Sequence, residues 1–76
     1  MDFVQATDRL MAAGITLQEM AEALGVAHNT VRVARLDPAS PSYRRPPAEW
    51  RRVLSRLAWG RGGDLMKIAD QLERGG

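Results

Sequence analysis

The chain has 76 residues, a formal net charge of +2, 45% hydrophobic side chains and no cysteine. A chain of this length forms one domain with a small core, so we expect little room for a buried active-site cavity. Without cysteine the chain has no disulfide, thiolate metal site or thiol nucleophile, and an intracellular location needs no special explanation.

Apolar residues at helical spacing predict a compact all-α domain of four to five helices around a central helix-turn-helix, with helices near residues 3–13, 17–24, 28–36, 47–59 and 64–74. In the first helix, four apolar residues recur along one face, namely Phe3, Ala6, Leu10 and Ala13, and Gly14 closes the segment. No strand pattern is visible. The first helix is therefore predicted to support the rest of the domain.

The second helix has a well-specified start. The Thr16 side chain is placed to accept from the backbone N–H of Glu19, while the Glu19 side chain reaches back to Thr16 in a capping box. Ile15 is placed to pack on Met20 across this start. Gly25 ends the helix, because a residue that tolerates positive φ turns the chain at no steric cost.

The third helix follows a three-residue turn and is predicted over residues 28–36. At 100° per residue, Val31 and Ala34 face inward. The outward strip lacks acidic residues and carries amide and basic groups: His28, Asn29, Arg32 and Arg35. Such a strip suits a nucleic acid as partner.

The segment 37–47 contains all four prolines of the chain and is predicted to be a loop beside the third helix. Pro47 is well placed to begin the fourth helix, since its missing N–H costs nothing there. In that helix an apolar stripe that includes Trp50 and Leu57 lies opposite three arginines: Arg51, Arg52 and Arg56. The fourth helix is therefore predicted to pack on one side and to expose arginine on the other.

Three glycines, Gly60, Gly62 and Gly63, each lower helix propensity by about 1 kcal/mol relative to alanine. We therefore expect the fourth helix to stop or bend near Trp59. The C-terminal segment 47–74 belongs to the single domain 1–76, and its fifth helix has two interpretations. It either folds back to close the core or forms a two-fold interface through an apolar set: Trp59, Leu65, Met66, Ile68 and Leu72.

The second helix, the turn and the third helix carry a pattern of three residues at fixed offsets: a small Ala21, the turn glycine Gly25 and the β-branched core residue Val31. This pattern resembles the helix-turn-helix of the phage-repressor (Xre or Cro-like) family. The resemblance implies that the third helix lies in the DNA major groove while the second crosses the backbone. Ala27 stands where a capping Ser or Thr is common, so Asn29 either caps the third helix or reads a base.

The candidate DNA contacts form two groups. Side chains on the outward face of the third helix are predicted to read base edges: His28, Asn29 and Arg32. Side chains at its flanks, in the second helix and in the loop are predicted to contact phosphates: Gln18, Thr30, Arg35, Arg44 and Arg45. Between Ala23 and Gly63 there are eight arginines and two acidic residues, and such a charge excess favours DNA because binding releases counterions.

These features predict a sequence-specific transcriptional regulator that binds double-stranded DNA, in the form of a homodimeric repressor that occludes a promoter at an inverted repeat. Residues 43–47, Tyr-Arg-Arg-Pro-Pro, also resemble the loop of small autorepressors encoded beside anti-CRISPR genes in phages. The alternative is a protein-interaction adaptor, such as an antitoxin or a phage packaging subunit, with the fifth helix as its docking element.

No pairing of nucleophile and base, carboxylate pair, metal cluster or phosphate-binding loop stands out, so we expect neither an enzyme nor a cofactor or small-molecule ligand. No apolar run approaches the roughly 20 residues that span a bilayer, and the first residues lack the pattern of a signal peptide. We therefore expect no membrane partner and a cytoplasmic protein encoded by a bacterium or a phage.

Overall fold

The computed structural model describes residues 1–61 and 65–74, with the side chains of residues 65–68 outside that description. Five α-helices follow in chain order: α1 (Phe3–Ala12), α2 (Leu17–Leu24), α3 (His28–Ala34), α4 (Trp50–Arg61) and α5 (Leu65–Arg74). These ranges contain no β-strand, so the predicted all-α fold is confirmed. Within them, none of the helices combines the length and the apolar character needed to cross a lipid bilayer.

The first helix begins with a capping box that the sequence analysis did not predict. The Asp2 side chain accepts from the Gln5 backbone N–H (2.8 Å), and the Gln5 side chain accepts from the Asp2 backbone N–H (2.9 Å). These bonds satisfy N–H groups that the start of a helix leaves unpaired. With its start fixed in this way, α1 buries Phe3, Ala6 and Leu10 in the core, as predicted. The prediction for Ala13 is wrong, because Ala13 is the C-cap that follows the last residue of α1 and is exposed.

The predicted capping box of α2 is only half present. The Thr16 hydroxyl accepts from the Glu19 backbone N–H (3.1 Å), as predicted. The Glu19 carboxylate instead forms an ion pair with Arg61 in the last turn of α4. The prediction for the Glu19 side chain is wrong because a cationic partner binds a carboxylate more strongly than a neutral N–H does. This ion pair ties the start of α2 to the end of α4.

The corner between α2 and α3 depends on Gly25. This glycine has φ 72°, in the left-handed region, and the following N–H, that of Val26, donates to the Ala21 carbonyl (3.0 Å). A side chain would be strained at this φ, which explains the glycine. Ala27 is the N-cap of α3 and makes no side-chain hydrogen bond, so Asn29 lies inside the helix. The interpretation of Asn29 as the cap is therefore wrong.

Two boundaries around the proline-rich loop differ from the prediction. α3 ends at Ala34, two residues before the predicted end. α4 begins at Trp50 rather than at Pro47, because the Trp50 N–H donates to the Pro47 carbonyl (3.1 Å) in a turn that precedes the helix. The loop between α3 and α4 is therefore longer at both ends than predicted.

α4 extends further at its C-terminal end than the glycine pattern predicted. The helix continues through Gly60 and ends at Arg61, two residues beyond the predicted stop or bend near Trp59. Arg61 pairs with α2, and α4 packs along α5. These tertiary contacts outweigh the propensity cost of one glycine, about 1 kcal/mol. Gly62 and Gly63 lie outside the described residues.

One hydrophobic core joins all five helices. Its fully buried side chains come from every helix and from the turn before α2: Leu10, Ile15, Met20, Val31, Leu54 and Leu72. The Phe3 and Trp50 rings pack edge to face, with centroids 5.2 Å apart and planes at 86°, a favourable aromatic geometry. α2 packs against both α3 and α4. The seven-residue α3 is thus held on its inner side, and its outer side faces solvent.

Candidate nucleic-acid interface

α3 has one buried side and one exposed side. Val31 is fully buried and Ala34 is 3% exposed, which confirms the inward orientation predicted for them. His28, Asn29 and Arg32 are exposed. The three residues predicted to read bases therefore share the outer part of one short helix.

Asn29 and Arg32 are hydrogen-bonded to each other on this outer side. The Asn29 Oδ1 atom accepts from Arg32 Nη2 (3.1 Å) and from Arg32 Nε (3.4 Å). Residues three apart are neighbours on a helix surface, so this contact is compatible with regular helix geometry. The contact orients the guanidinium, and because the acceptor is a neutral amide, the positive charge of Arg32 is not cancelled.

The proline-rich loop lies along one flank of α3. Its shape is set locally, since the Ala39 N–H donates to the Asp37 carboxylate (2.9 Å) and the Ser40 N–H donates to the Asp37 carbonyl (2.8 Å). A shallow groove between loop and helix is lined by residues from both: Asn29, Thr30, Val33, Pro41, Ser42 and Arg44. The loop therefore brings Arg44 next to the outer side of α3.

Arg44 and Arg45 are both exposed on this loop. The Arg44 guanidinium donates to the backbone carbonyls of Tyr43 (2.8 Å) and Pro41 (3.3 Å). Thr30, which was predicted to contact phosphate, is half-buried in the wall of the groove. Carbonyl groups hold the Arg44 side chain without cancelling its charge, so this flank of α3 is cationic.

The opposite flank is formed by His28 of α3 and Gln18 of α2, which are both exposed and line one shallow depression. The Gln18 amide donates one N–H to the Glu22 carboxylate (3.1 Å) and keeps the other. At about 100° per residue, His28 and Thr30 lie on either side of Asn29, so the depression and the loop groove border the outer side of α3. We call the combined set the α3 surface: Gln18, His28, Asn29, Thr30, Arg32, Arg44 and Arg45.

Arg35 does not belong to the α3 surface. Its guanidinium forms an ion pair with Asp8 (2.6 Å) and donates to the Thr7 hydroxyl, and its side chain is 21% exposed. Both partners lie on α1. The prediction of Arg35 as a phosphate contact is therefore corrected, because its guanidinium binds Asp8 and Thr7 and so links the end of α3 to α1. Sequence reasoning missed this role since Asp8 is 27 residues away and no local spacing rule links the two.

Carboxylates pair with arginines in other parts of the domain. Among the described side chains, the salt bridges join Arg35 to Asp8, Arg52 to Glu49, Arg61 to Glu19 and Arg74 to Asp70. None of these pairs includes Arg32, Arg44 or Arg45. The arginines of the α3 surface therefore keep their positive charge without a carboxylate partner in the described part of the chain.

The residues predicted for a dimer interface differ in their exposure. Trp59 is 41% exposed, and its indole N–H donates to Glu73 Oε1 on α5 (2.8 Å). Leu72 is 2% exposed and lies in the hydrophobic core, so its prediction as an interface residue is wrong: packing within one chain keeps it from a partner. The side chains of three further residues lie outside the described part of the structure: Leu65, Met66 and Ile68.

No group of three or more His, Cys, Asp or Glu side chains is placed to hold a metal ion in the described ranges.

In comparisons with known proteins, no family model, curated protein or solved structure matches this chain. The α3 surface must therefore be interpreted from its own geometry and charge.

Proposed function

We propose that this protein is a sequence-specific regulator that binds double-stranded DNA through the α3 surface. The observation that carries the proposal is the exposed Asn29–Arg32 pair, whose positive charge is cancelled by no carboxylate among the described residues. The major groove of B-DNA admits an α-helix, and arginine bound to guanine is the commonest specific contact there. Because α3 is held by its inner side, its outer side is free to enter that groove.

The flanks of α3 support the same docking geometry. A helix in the major groove lies between two phosphate backbones, so side chains on both of its flanks contact phosphates and fix its register. Gln18 lies on one flank, and Arg44 and Arg45 lie on the loop along the other. We assign these three side chains to phosphate contacts, and we assign His28 to the edge of the base-reading region.

We propose further that two copies of the chain act together as a repressor. A helix-turn-helix dimer separates its two reading helices by about one DNA turn, roughly 34 Å, and so selects an inverted repeat. Trp59 is a large hydrophobic side chain that stays 41% exposed in the single chain, and aromatic residues are enriched in protein interfaces. A dimer bound across a promoter represses by occlusion.

Substitution of Arg32 tests the proposed base reading. Duplexes selected from a random library supply the probe, and fluorescence anisotropy at a stated salt concentration supplies the affinity. Arg32→Ala is expected to lower the affinity about 5- to 150-fold, the range for one bidentate base contact, and to relax the preference at one base position. Arg52→Ala is the matched control, since it removes another exposed arginine, on α4.

The control is expected to bind like the unmodified chain. If no duplex is enriched, or if Arg32→Ala binds like Arg52→Ala, the proposed DNA reading is wrong.

Substitution of Trp59 tests the proposed dimer. Light scattering of the protein on its selected duplex is expected to give two chains per duplex, and Trp59→Lys is expected to give one. Trp59→Phe is the matched control, because it keeps an exposed aromatic side chain at the same position, and it is expected to give two chains per duplex. A non-palindromic consensus bound by one unmodified chain would contradict the dimer while leaving the DNA reading intact.

A further inference from the structure

The chemistry of Arg32 fixes the orientation of the Asn29 amide. A guanidinium carries five N–H donors and no acceptor, so the Asn29 atom that faces it is the oxygen. That oxygen accepts from two Arg32 nitrogens, at 3.1 Å and 3.4 Å. The Asn29 Nδ2 group, with its two N–H donors, is therefore left for an external partner.

Arg32 also keeps donors for an external partner. The single N–H of Nε and one of the two N–H groups of Nη2 donate to Asn29. Three of the five N–H groups remain, and they sit on the two terminal nitrogens. Two adjacent terminal N–H groups are sufficient for a bidentate bond to one base.

We propose, resting on the proposed function, that the Asn29–Arg32 pair is a donor-only reading unit that selects guanine and rejects adenine. In the major groove guanine offers two acceptors, N7 and O6, whereas adenine offers one acceptor and one donor. An asparagine that reads adenine must accept from the adenine amine with its oxygen. In this chain the Asn29 oxygen is engaged by Arg32, so that reading is blocked.

The pair also predicts the base beside the guanine. Asn29 presents only its Nδ2 donors, so the neighbouring step is expected to offer acceptors with no adjacent amine, as guanine does through N7 and O6 and thymine does through O4. Adenine offers N7 but carries an amine beside it, and cytosine presents an amine, so both are disfavoured there. The half-site is therefore expected to contain guanine followed or preceded by guanine or thymine.

Base analogues in the selected duplex test this inference on the unmodified protein. The guanine to be replaced stands at the position where Arg32→Ala weakens the protein's preference for guanine. Replacing it with 7-deazaguanine removes the N7 acceptor and is expected to weaken binding roughly tenfold. Replacing it with inosine keeps N7 and O6 and is expected to change the affinity less than about twofold.

Two Asn29 variants separate its two roles. Asn29→Asp keeps an oxygen for Arg32, replaces the Nδ2 donors with a second acceptor and places a carboxylate beside the guanidinium. It is therefore expected to weaken binding to all duplexes, to retain the relative preference for the guanine and to shift the neighbouring preference towards a base that presents an amine. Asn29→Ala removes the acceptor that orients Arg32, so it is expected to lower the preference for guanine over adenine roughly fivefold or more. Circular dichroism confirms that each variant is folded.

The outcomes distinguish this inference from the function on which it rests. Enrichment of adenine at the position that Asn29 controls would overturn the donor-only assignment and leave the DNA-binding function intact. An unchanged guanine preference in Asn29→Ala, or full affinity for the 7-deazaguanine duplex, would also overturn it. The absence of any enriched duplex would instead overturn the proposed function.

Discussion

Arginine is abundant in two regions of this domain, the α3 surface and the pair of helices α4 and α5, but its partners differ between them. On α4, Arg52 and Arg61 face carboxylates. The Arg51 guanidinium stacks over the Trp50 ring at 4.6 Å, and Arg56 is exposed and belongs to none of the salt bridges among the described side chains. On the α3 surface the acceptors are an amide and backbone carbonyls. A count of basic residues treats the two regions alike, whereas their partners show that carboxylates offset the charge of two α4 arginines and of none of the α3-surface arginines among the described side chains.

The two regions also contribute differently to the stability of the fold. α4 buries Leu54 and Ala58 and packs along α5, which buries Ala69 and Leu72. α3 has only seven residues and no side-chain cap. A helix this short is not stable alone in water, so α3 depends on its packing against the rest of the domain. We therefore expect substitutions in α4 to act on stability and substitutions on the α3 surface to act on binding.

Leu54→Ala is expected to have the largest effect on stability. Leu54 is fully buried, and truncating a buried leucine to alanine lowers the free energy of unfolding by about 2–5 kcal/mol. Urea denaturation followed by circular dichroism measures the loss. Leu36→Ala, at a position 37% exposed, is the control and is expected to change stability by no more than about 0.5 kcal/mol. Equal losses would contradict the assignment of stability to the α4 and α5 region.

Arg35→Ala is expected to have an intermediate effect on stability. The substitution removes an ion pair to Asp8 and a hydrogen bond to the buried Thr7 hydroxyl. Because the Arg35 side chain is only 21% exposed, we expect a loss of about 1–2 kcal/mol in the free energy of unfolding. The salt dependence of DNA binding is expected to stay unchanged under conditions where the variant is folded. A reduced salt dependence would restore Arg35 as a phosphate contact.

Much of the fold could be predicted from the sequence, because helical spacing of apolar residues reports directly on which face is buried. The inward orientation of Val31 and the corner at Gly25 follow from such local rules. Helix ends were harder to predict. Gly60 lies inside α4 because contacts with α2 and α5 support the last turn. Helix propensity depends on local sequence alone and does not take such contacts into account.

The candidate site was predicted in outline but not in its partners. The exposure of Asn29 and Arg32 follows from their place on the helix. The role of Arg35 depends on a residue of α1 that is distant in sequence. Leu72 shows a different limit, because an apolar helix face packs equally well against its own chain or a second copy, and only the three-dimensional structure distinguishes the two.

Arg44→Ala is expected to have the smallest effect on DNA affinity, but its effect on the salt dependence of binding distinguishes the two regions directly. Arg44 is exposed, and its hydrogen bonds to backbone carbonyls leave its charge available. Removing one phosphate contact weakens binding to all duplexes alike and lowers the slope of log affinity against log salt by about 1. Anisotropy titrations at several salt concentrations measure this slope, and Arg52→Ala is the control because Glu49 already pairs with that arginine. If both variants lower the slope by the same amount, the charge of α4 is as available to DNA as that of the α3 surface, and the distinction between the two regions does not hold.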